Sequence, residues 1–185
     1  MIVLTTKSEI THYIQQKRLK NGLNIGFVPT MGALHEGHLS LIKLSKEEND
    51  RTICSIFINP TQFNQTTDFE KYPKNFTKDI LLLEKSGCDI LFLPSVEEMY
   101  PTKSVITFDF GSLERVMEGI HRPNHFNGVG VVVSKLFNII QPTRAYFGQK
   151  DLQQCAIITQ LINDLAFPIE IKRCPIIREE NGLAM

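Results

Sequence analysis

Net charge of either sign is missing from this sequence: 20 Lys and Arg are balanced by 20 Asp and Glu over 185 residues. A chain that grips nucleic acid electrostatically carries a basic excess, so no nucleic-acid partner is expected. Long apolar runs are missing too. Nothing approaches the ~18 apolar residues of a membrane span. Met1–Lys7 offers only three consecutive apolar residues after the initial Met, too few for the hydrophobic segment of a secretory signal. A cytoplasmic protein with no membrane partner is therefore expected. Cysteine is sparse: Cys54, Cys88, Cys155 and Cys174 form no C-x-x-C pair. Isolated thiols without an export signal read as reduced residues acting as small buried hydrophobes. Repeats, low-complexity tracts and linkers are absent as well. What remains, 42% hydrophobic and 22% charged, is the composition of a soluble globular domain with a sizeable core.

The chain is organised around residues 26–38, Gly-Phe-Val-Pro-Thr-Met-Gly-Ala-Leu-His-Glu-Gly-His. The apolar run from Leu23 to Val28 reads as a buried strand that breaks at Pro29. Leu39, Ile42 and Ser45 then mark one side of a helix. A strand, a Gly-punctuated turn and a helix start form the geometry in which backbone N–H groups point at an anion. His35 and His38 fall about one helical turn apart, on the same side. A phosphate-chain site is the first hypothesis.

Other segments follow the same pattern. Thr6-Lys7-Ser8-Glu9 fits a capping box and opens a helix with Ile10, Tyr13 and Ile14 buried, stopped at Asn21-Gly22. Strands are predicted over Thr52–Ile58, Asp89–Pro94, Val105–Phe108, Arg144–Phe147 and Ile169–Arg173. Helices are predicted over Asn75–Lys85, Ser112–Glu118 and, against the β propensity of its valines, Val129–Ile140. A last one has Asp151 as N-cap and Leu152, Cys155, Ala156, Ile158, Leu161 and Ile162 as its stripe. Polar loops are expected from Asn59 to Pro73 and from His121 to Gly128. Alternating strands and helices imply an α/β fold, a parallel sheet with helices on both faces. Ligands of such sheets bind beyond the carboxyl ends of the strands.

Three chemistries compete for the two histidines. His-x-x-His on a helix can ligate zinc, but no Cys or Glu is spaced to complete the ligand set; surface histidines are the second option. Phosphate recognition fits best, with donating imidazoles stabilising charge on a transferring phosphoryl group. Lys150 follows another strand and glycine at the start of another helix, so its ammonium could reach the same crevice. The amides of Asn59, Gln62 and Gln154 suit a small substrate with hydroxyl and carboxylate groups. Arg122 and His125 could supply a carboxylate contact.

Four blocks in order, Pro29–His38, Ile58–Phe63, His125–Val129 and Phe147–Gln154, closely resemble the pantothenate synthetase (pantoate–β-alanine ligase) family. The resemblance covers essentially the whole chain. It implies a Rossmann-like, nucleotidyltransferase-like domain that condenses pantoate with β-alanine through a pantoyl adenylate, using ATP with its Mg2+ and releasing pyrophosphate and AMP. By the same resemblance Met31, Gly32, Ala33, Leu34, His35, Glu36, Gly37 and His38 form an ATP loop. His38 is its proton donor, with His35 and Lys150 beside it on the phosphates. Gly148, Gln149, Lys150 and Asp151 also contact ATP, and Ile177 and Met185 lie near the adenine. Gln62, supported by Asn59, and Gln154 bind pantoate, and Gln62 also lies near β-alanine. A homodimer is implied too; no metal ligand is assigned among the protein's residues. Two departures stand out. Gln149 occupies a position where an acidic residue is common, and the family's Ser-Ser-Arg loop and smaller carboxy-terminal lid do not follow Met185. The 185 residues therefore read as one ATP- and pantoate-binding domain of a longer enzyme, with reduced turnover. The alternatives are a ligand-binding or dimerising domain without turnover, or a nucleotidylyltransferase with another acceptor.

Overall fold

The computed structural model describes residues 1–185, the side chains at 18–21 excepted. Six strands form one sheet: β1 (Ile2–Leu4), β2 (Ile25–Thr30), β3 (Arg51–Ile56), β4 (Ile90–Phe92), β5 (Arg144–Gly148) and β6 (Glu170–Cys174). Their spatial order is β1-β4-β3-β2-β5-β6, and every pairing is parallel. Longer helices connect them: α1 (Lys7–Asn21), α2 (Glu36–Glu48), α4 (Phe76–Lys85), α7 (His125–Ile140) and α8 (Leu152–Asp164). Three short ones complete the set, α3 (Thr66–Lys71), α5 (Val96–Met99) and α6 (Glu118–His121). Among the described residues, no helix is long and apolar enough to cross a membrane.

The period-two alternation of the strands distributes the core over both faces. Phe27, Ile53, Ile90, Phe92, Ala145 and Phe147 point toward Ile10 and Ile14 of α1 and the apolar sides of α7 and α8. Val28, Cys54, Leu91 and Tyr146 point the other way, toward Leu41 and Ile42 of α2 and Leu83 of α4. The four cysteines are free and buried, with thiol pKa values raised by burial. The Thr6–Glu9 capping box forms, Glu9 N–H donating to Thr6 Oγ1 at 3.2 Å and Thr6 N–H to Glu9 Oε2 at 2.9 Å. The stop of α1 at Asn21-Gly22 involves a side chain outside the described ones.

Several expectations need correction. No strand forms over Val105–Phe108. Its β-branched residues pair with no strand, and Val105 and Ile106 are 92% and 67% exposed. Phe108 N–H donates instead to Asn127 Oδ1 at 2.9 Å. The three-residue β1 is too short to show periodicity and was not anticipated, and neither was α5. The loop after Asn59 contains a 3-10 turn at Pro60–Gln62 and helix α3. The helix predicted over Ser112–Glu118 splits into a 3-10 turn at Gly111–Glu114 and α6, and α7 begins at His125, inside a predicted loop.

Candidate active site

The order of the sheet reverses beside β2: β3 and β4 extend to one side and β5 returns to the other. The crevice beyond the carboxyl ends of β2 and β5 is therefore the switch point at which an open α/β sheet binds ligands.

The turn after β2 is built by one distant carboxylate. Gly32 and Ala33 have φ of +84° and +51°, left-handed backbone that suits glycine and strains alanine. Ala33 N–H and Leu34 N–H donate to Asp79 of α4 at 3.0 and 2.8 Å. A Cβ on Gly32 would lie 3.0 Å from Asp79 Oδ2, so the carboxylate packs directly under the turn. The amides expected to face an anion are thus bonded within the fold.

The imidazoles take over the donor role. His35 is the N-cap of α2, and its Nδ1 accepts from Gly37 N–H at 3.1 Å. His38, three residues into the helix, accepts from His35 N–H on Nδ1 at 3.4 Å. With both Nδ1 atoms accepting, the neutral rings carry their protons on Nε2, and the ring centroids are 4.1 Å apart. Burial, His35 and the Lys150 ammonium, in that order, push His38 down to about 4. His35 is lowered by burial and Lys150, and the positive end of α2 acts in the same direction. At neutral pH this is a pair of uncharged Nε2–H donors at a helix start.

A cleft of about 340 Å³ receives them. From the first loop it is lined by Met31, His35, Gly37 and His38, and from the turn after β5 by Gly148, Lys150 and Asp151. Asn59, Gln62 and Gln154 complete the polar wall, and Ile177 and Met185 line the cleft as well. Met185 N–H donates to Ile177 O at 3.0 Å, which folds the final hairpin over the start of α2. Among the described residues, Lys150 is the only Lys or Arg in the lining.

Other candidates lie elsewhere. Gly32 and Leu34 are buried behind the turn, with Ala33 bonded to Asp79, and Glu36 and Gln149 are exposed outside the cleft. Asp151 occupies the N-cap position of α8 but makes no capping bond. Arg122 is paired with Glu118 and lines a separate depression. His125 is buried and Nδ1 donates to Gln62 O at 2.8 Å, so it acts on the protein and does not line the cleft.

The three amides differ in what they leave free. Asn59 donates to Gln62 Oε1 and Gly128 O, both at 3.1 Å. It accepts from Thr61 N–H, Thr61 Oγ1 and Tyr100 Oη. Saturated in this way, it orients Gln62. Gln62 Nε2 spends one proton on Met31 Sδ at 3.1 Å and keeps the other for a ligand. Gln154 is half-buried, and its amide makes no hydrogen bond among the described residues. Packed against the Asn59–Gln62 segment through Gly128, α7 adds an apolar wall of Val129, Val132, Val133 and Leu136. Sequence reasoning missed Asp79, Tyr100 and this wall. Asp79 had left a signal, a carboxylate in line with Leu83 on the buried side of α4.

A doubly covered parallel sheet with imidazoles and a lysine at its switch point defines the Rossmann-like, nucleotidyltransferase-type class of α/β protein. The chain belongs to the pantoate–β-alanine ligase family, whose sequence profile matches residues 2–185. It is 55% identical over 185 residues to the pantothenate synthetase of Cytophaga hutchinsonii, covering all of this chain and 65% of that one. The crystal structure of pantothenate synthetase from Thermus thermophilus superposes with a TM-score of 0.93 at 42% identity, over 100% of this chain and 65% of that one. Pantoate–β-alanine ligase from Francisella tularensis, solved in complex with beta-gamma ATP and beta-alanine, gives 0.96 at 41%, over 100% and 70%. The chain thus spans about 65% of the length of the curated relatives it matches.

Proposed function

We propose that residues 1–185 form the ATP- and pantoate-binding domain of an ATP-dependent ligase that condenses pantoate with β-alanine. The observation that carries this reading is the convergence of two Nε2–H imidazoles, the Lys150 ammonium and the Gln62 and Gln154 amides on one switch-point cleft. The relative solved with beta-gamma ATP and beta-alanine supports it.

The pantoate carboxylate attacks the α-phosphorus of ATP, which arrives as its Mg2+ complex, and pyrophosphate departs. The β-alanine amine then attacks the acyl carbon, and AMP leaves. His35 and Lys150 hold the phosphate oxygens, offsetting charge that develops during the displacement. Bound phosphates raise the His38 pKa, so that His38 serves as the proton donor. Gln62 and Gln154 orient the hydroxyl and carboxylate groups of pantoate, and the valines of α7 receive its dimethyl carbon. Met31, Gly37, Gly148, Asp151, Ile177 and Met185, which line the cleft beside the two histidines and Lys150, bind the nucleotide. Asn59 supports Gln62. The same reading includes a cytoplasmic homodimer.

Pantoate-dependent pyrophosphate release, coupled to a colorimetric readout, tests this beside the full-length Cytophaga hutchinsonii relative, with calorimetric titration of ATP and pantoate in parallel. Both ligands are expected to bind, with turnover well below that of the relative. Binding without any pyrophosphate release would mark a ligand-binding domain. Failure to bind either ligand would overturn the reading, and equal rates would refute the reduced turnover.

A further inference from the structure

Beneath the histidine-bearing turn lies a buried charge that the chemistry above does not use. Asp79 is 1% exposed and enters no ion pair among the described residues. A buried carboxylate without a counter-ion is costly unless strong donors reach it. Those donors are the amides of Ala33 and Leu34, which belong to the β2–α2 turn and lie 46 and 45 residues away in sequence. They immediately precede His35, so whatever fixes them fixes the entry angle of α2 and the plane of both imidazoles. The turn needs such a restraint, since Ala33 holds a φ of +51° that an alanine does not adopt freely. Leu34, 3% exposed, anchors the same turn in the core.

The carboxylate also carries an electrostatic effect of opposite sign. The Tyr72 hydroxyl at the cleft wall is raised by burial and then by the Asp79 charge, so the negative field of Asp79 reaches the cleft. A charge placed there opposes a polyphosphate. Geometry and field therefore make opposite predictions for its removal.

We propose that Asp79 is a positioning residue: its carboxylate locks the Gly32–Leu34 turn so that His35 and His38 present their Nε2–H groups together to the nucleotide. The nucleotide part rests on the proposed function; the locking itself does not.

Asp79→Asn keeps the shape but sets an NH2 group against one of the two amides, and Asp79→Glu keeps the charge but displaces the acceptor. The first readout is the imidazole 15N spectrum of each variant of the 185-residue chain without ligand, and the second is calorimetry with ATP–Mg2+ and, separately, with pantoate. In both variants the single Nε2–H tautomer of His35 and His38 is expected to give way to a mixture. ATP should bind about tenfold more weakly, the loss of roughly one well-aligned donor, and pantoate less than about threefold more weakly. Unchanged imidazole spectra overturn the proposal. So does tighter ATP binding in Asp79→Asn, which would make the residue an electrostatic brake, or equal weakening of both ligands, which would mean general loosening. If the unmodified chain binds no ATP, the functional reading fails while the spectra still decide the role of Asp79. Should neither variant fold, amide exchange at Ala33 and Leu34 in the unmodified chain decides it: slow exchange supports the lock and fast exchange refutes it.

Discussion

Each of the paired histidines performs two jobs on opposite sides of its ring. Nδ1 accepts a backbone N–H inside the first turn of α2, and Nε2 is left to donate into the cleft. The two jobs are separable by substitution. His35→Asn keeps an acceptor at the N-cap, where asparagine is among the best residues, and deletes the distal donor. Its thermal midpoint should stay within about 2 °C of the parent, while ATP affinity falls about tenfold. His35→Ala removes both, and should add about 1 kcal/mol of destabilisation. Calorimetry and a thermal melt check both variants, and an unchanged ATP affinity in His35→Asn would refute the donor role. Legibility at this scale follows contact range. The histidine pair was readable because both partners lie within one helical turn, and Lys150 because it repeats a strand-glycine-helix pattern. Asp79 and His125 act on residues 45 and 63 positions away, and nothing in a local pattern reports such a pairing.

Helix α7 sets the wall that Gln62 stands on, and its position depends on the absence of one side chain. A Cβ at Gly128 would lie 2.3 Å from Thr61 O and 2.7 Å from Gln62 N, backbone atoms that cannot move independently. Gly128 O also receives the Asn59 amide. Gly128→Ala should therefore push α7 off the Pro60–Gln62 turn and cost about 1–3 kcal/mol, read from the urea midpoint. Pantoate affinity should drop more than ATP affinity, because Gln62 and the valines move together while the histidine turn does not. Equal losses would show that the packing is not local to this wall. The element pattern was legible where one period dominated. The 3.6-residue spacing of Val129, Val132, Val133, Leu136 and Ile140 prevailed over their β propensity because this side packs on the sheet. Phase was harder to read. A 3-10 turn at Gln149–Asp151 leads into α8 with a tighter rotation per residue than an α-helix. Leu152, expected in the stripe, is 56% exposed, and Gln153 is buried at 6% in its place. There Gln153 accepts from Gly119 N–H and donates to Leu113 O and Val116 O.

At the scale of the whole molecule, the strand order that creates the switch point could not be read from the sequence, because it depends on which long-range pairings win. The fold has an energetic consequence besides the cleft: it holds histidines with lowered pKa values and thiols and phenols with raised ones, so stability should fall toward both acid and alkali. His35, His38 and His125 all have lowered pKa values in the fold, chiefly through burial. Between pH 6.5, the unperturbed value, and about 4 for His38, the unfolded chain binds protons that the folded chain refuses. Stability is therefore full above pH 6.5 and is lost as pH falls through this window, with His38 alone contributing about 2–3 kcal/mol. On the alkaline side the sign reverses. Cys88 and Cys174 are raised from 9.0 to about 11, and Cys54, Cys155, Tyr72, Tyr100 and Tyr146 are raised as well. Above pH 9 the unfolded chain releases protons that the fold retains, and Cys88 and Cys174 together withdraw on the order of 4–5 kcal/mol by pH 11. A domain of this size has only about 5–15 kcal/mol in total. Urea unfolding across pH 4–11 should give a plateau between about pH 6.5 and 9, with a decline on either side. Cys88→Ala with Cys174→Ala should flatten the alkaline limb and leave the acid limb in place. An alkaline limb unchanged in that double variant would assign the loss to the tyrosines, and a flat profile throughout would remove the linkage altogether.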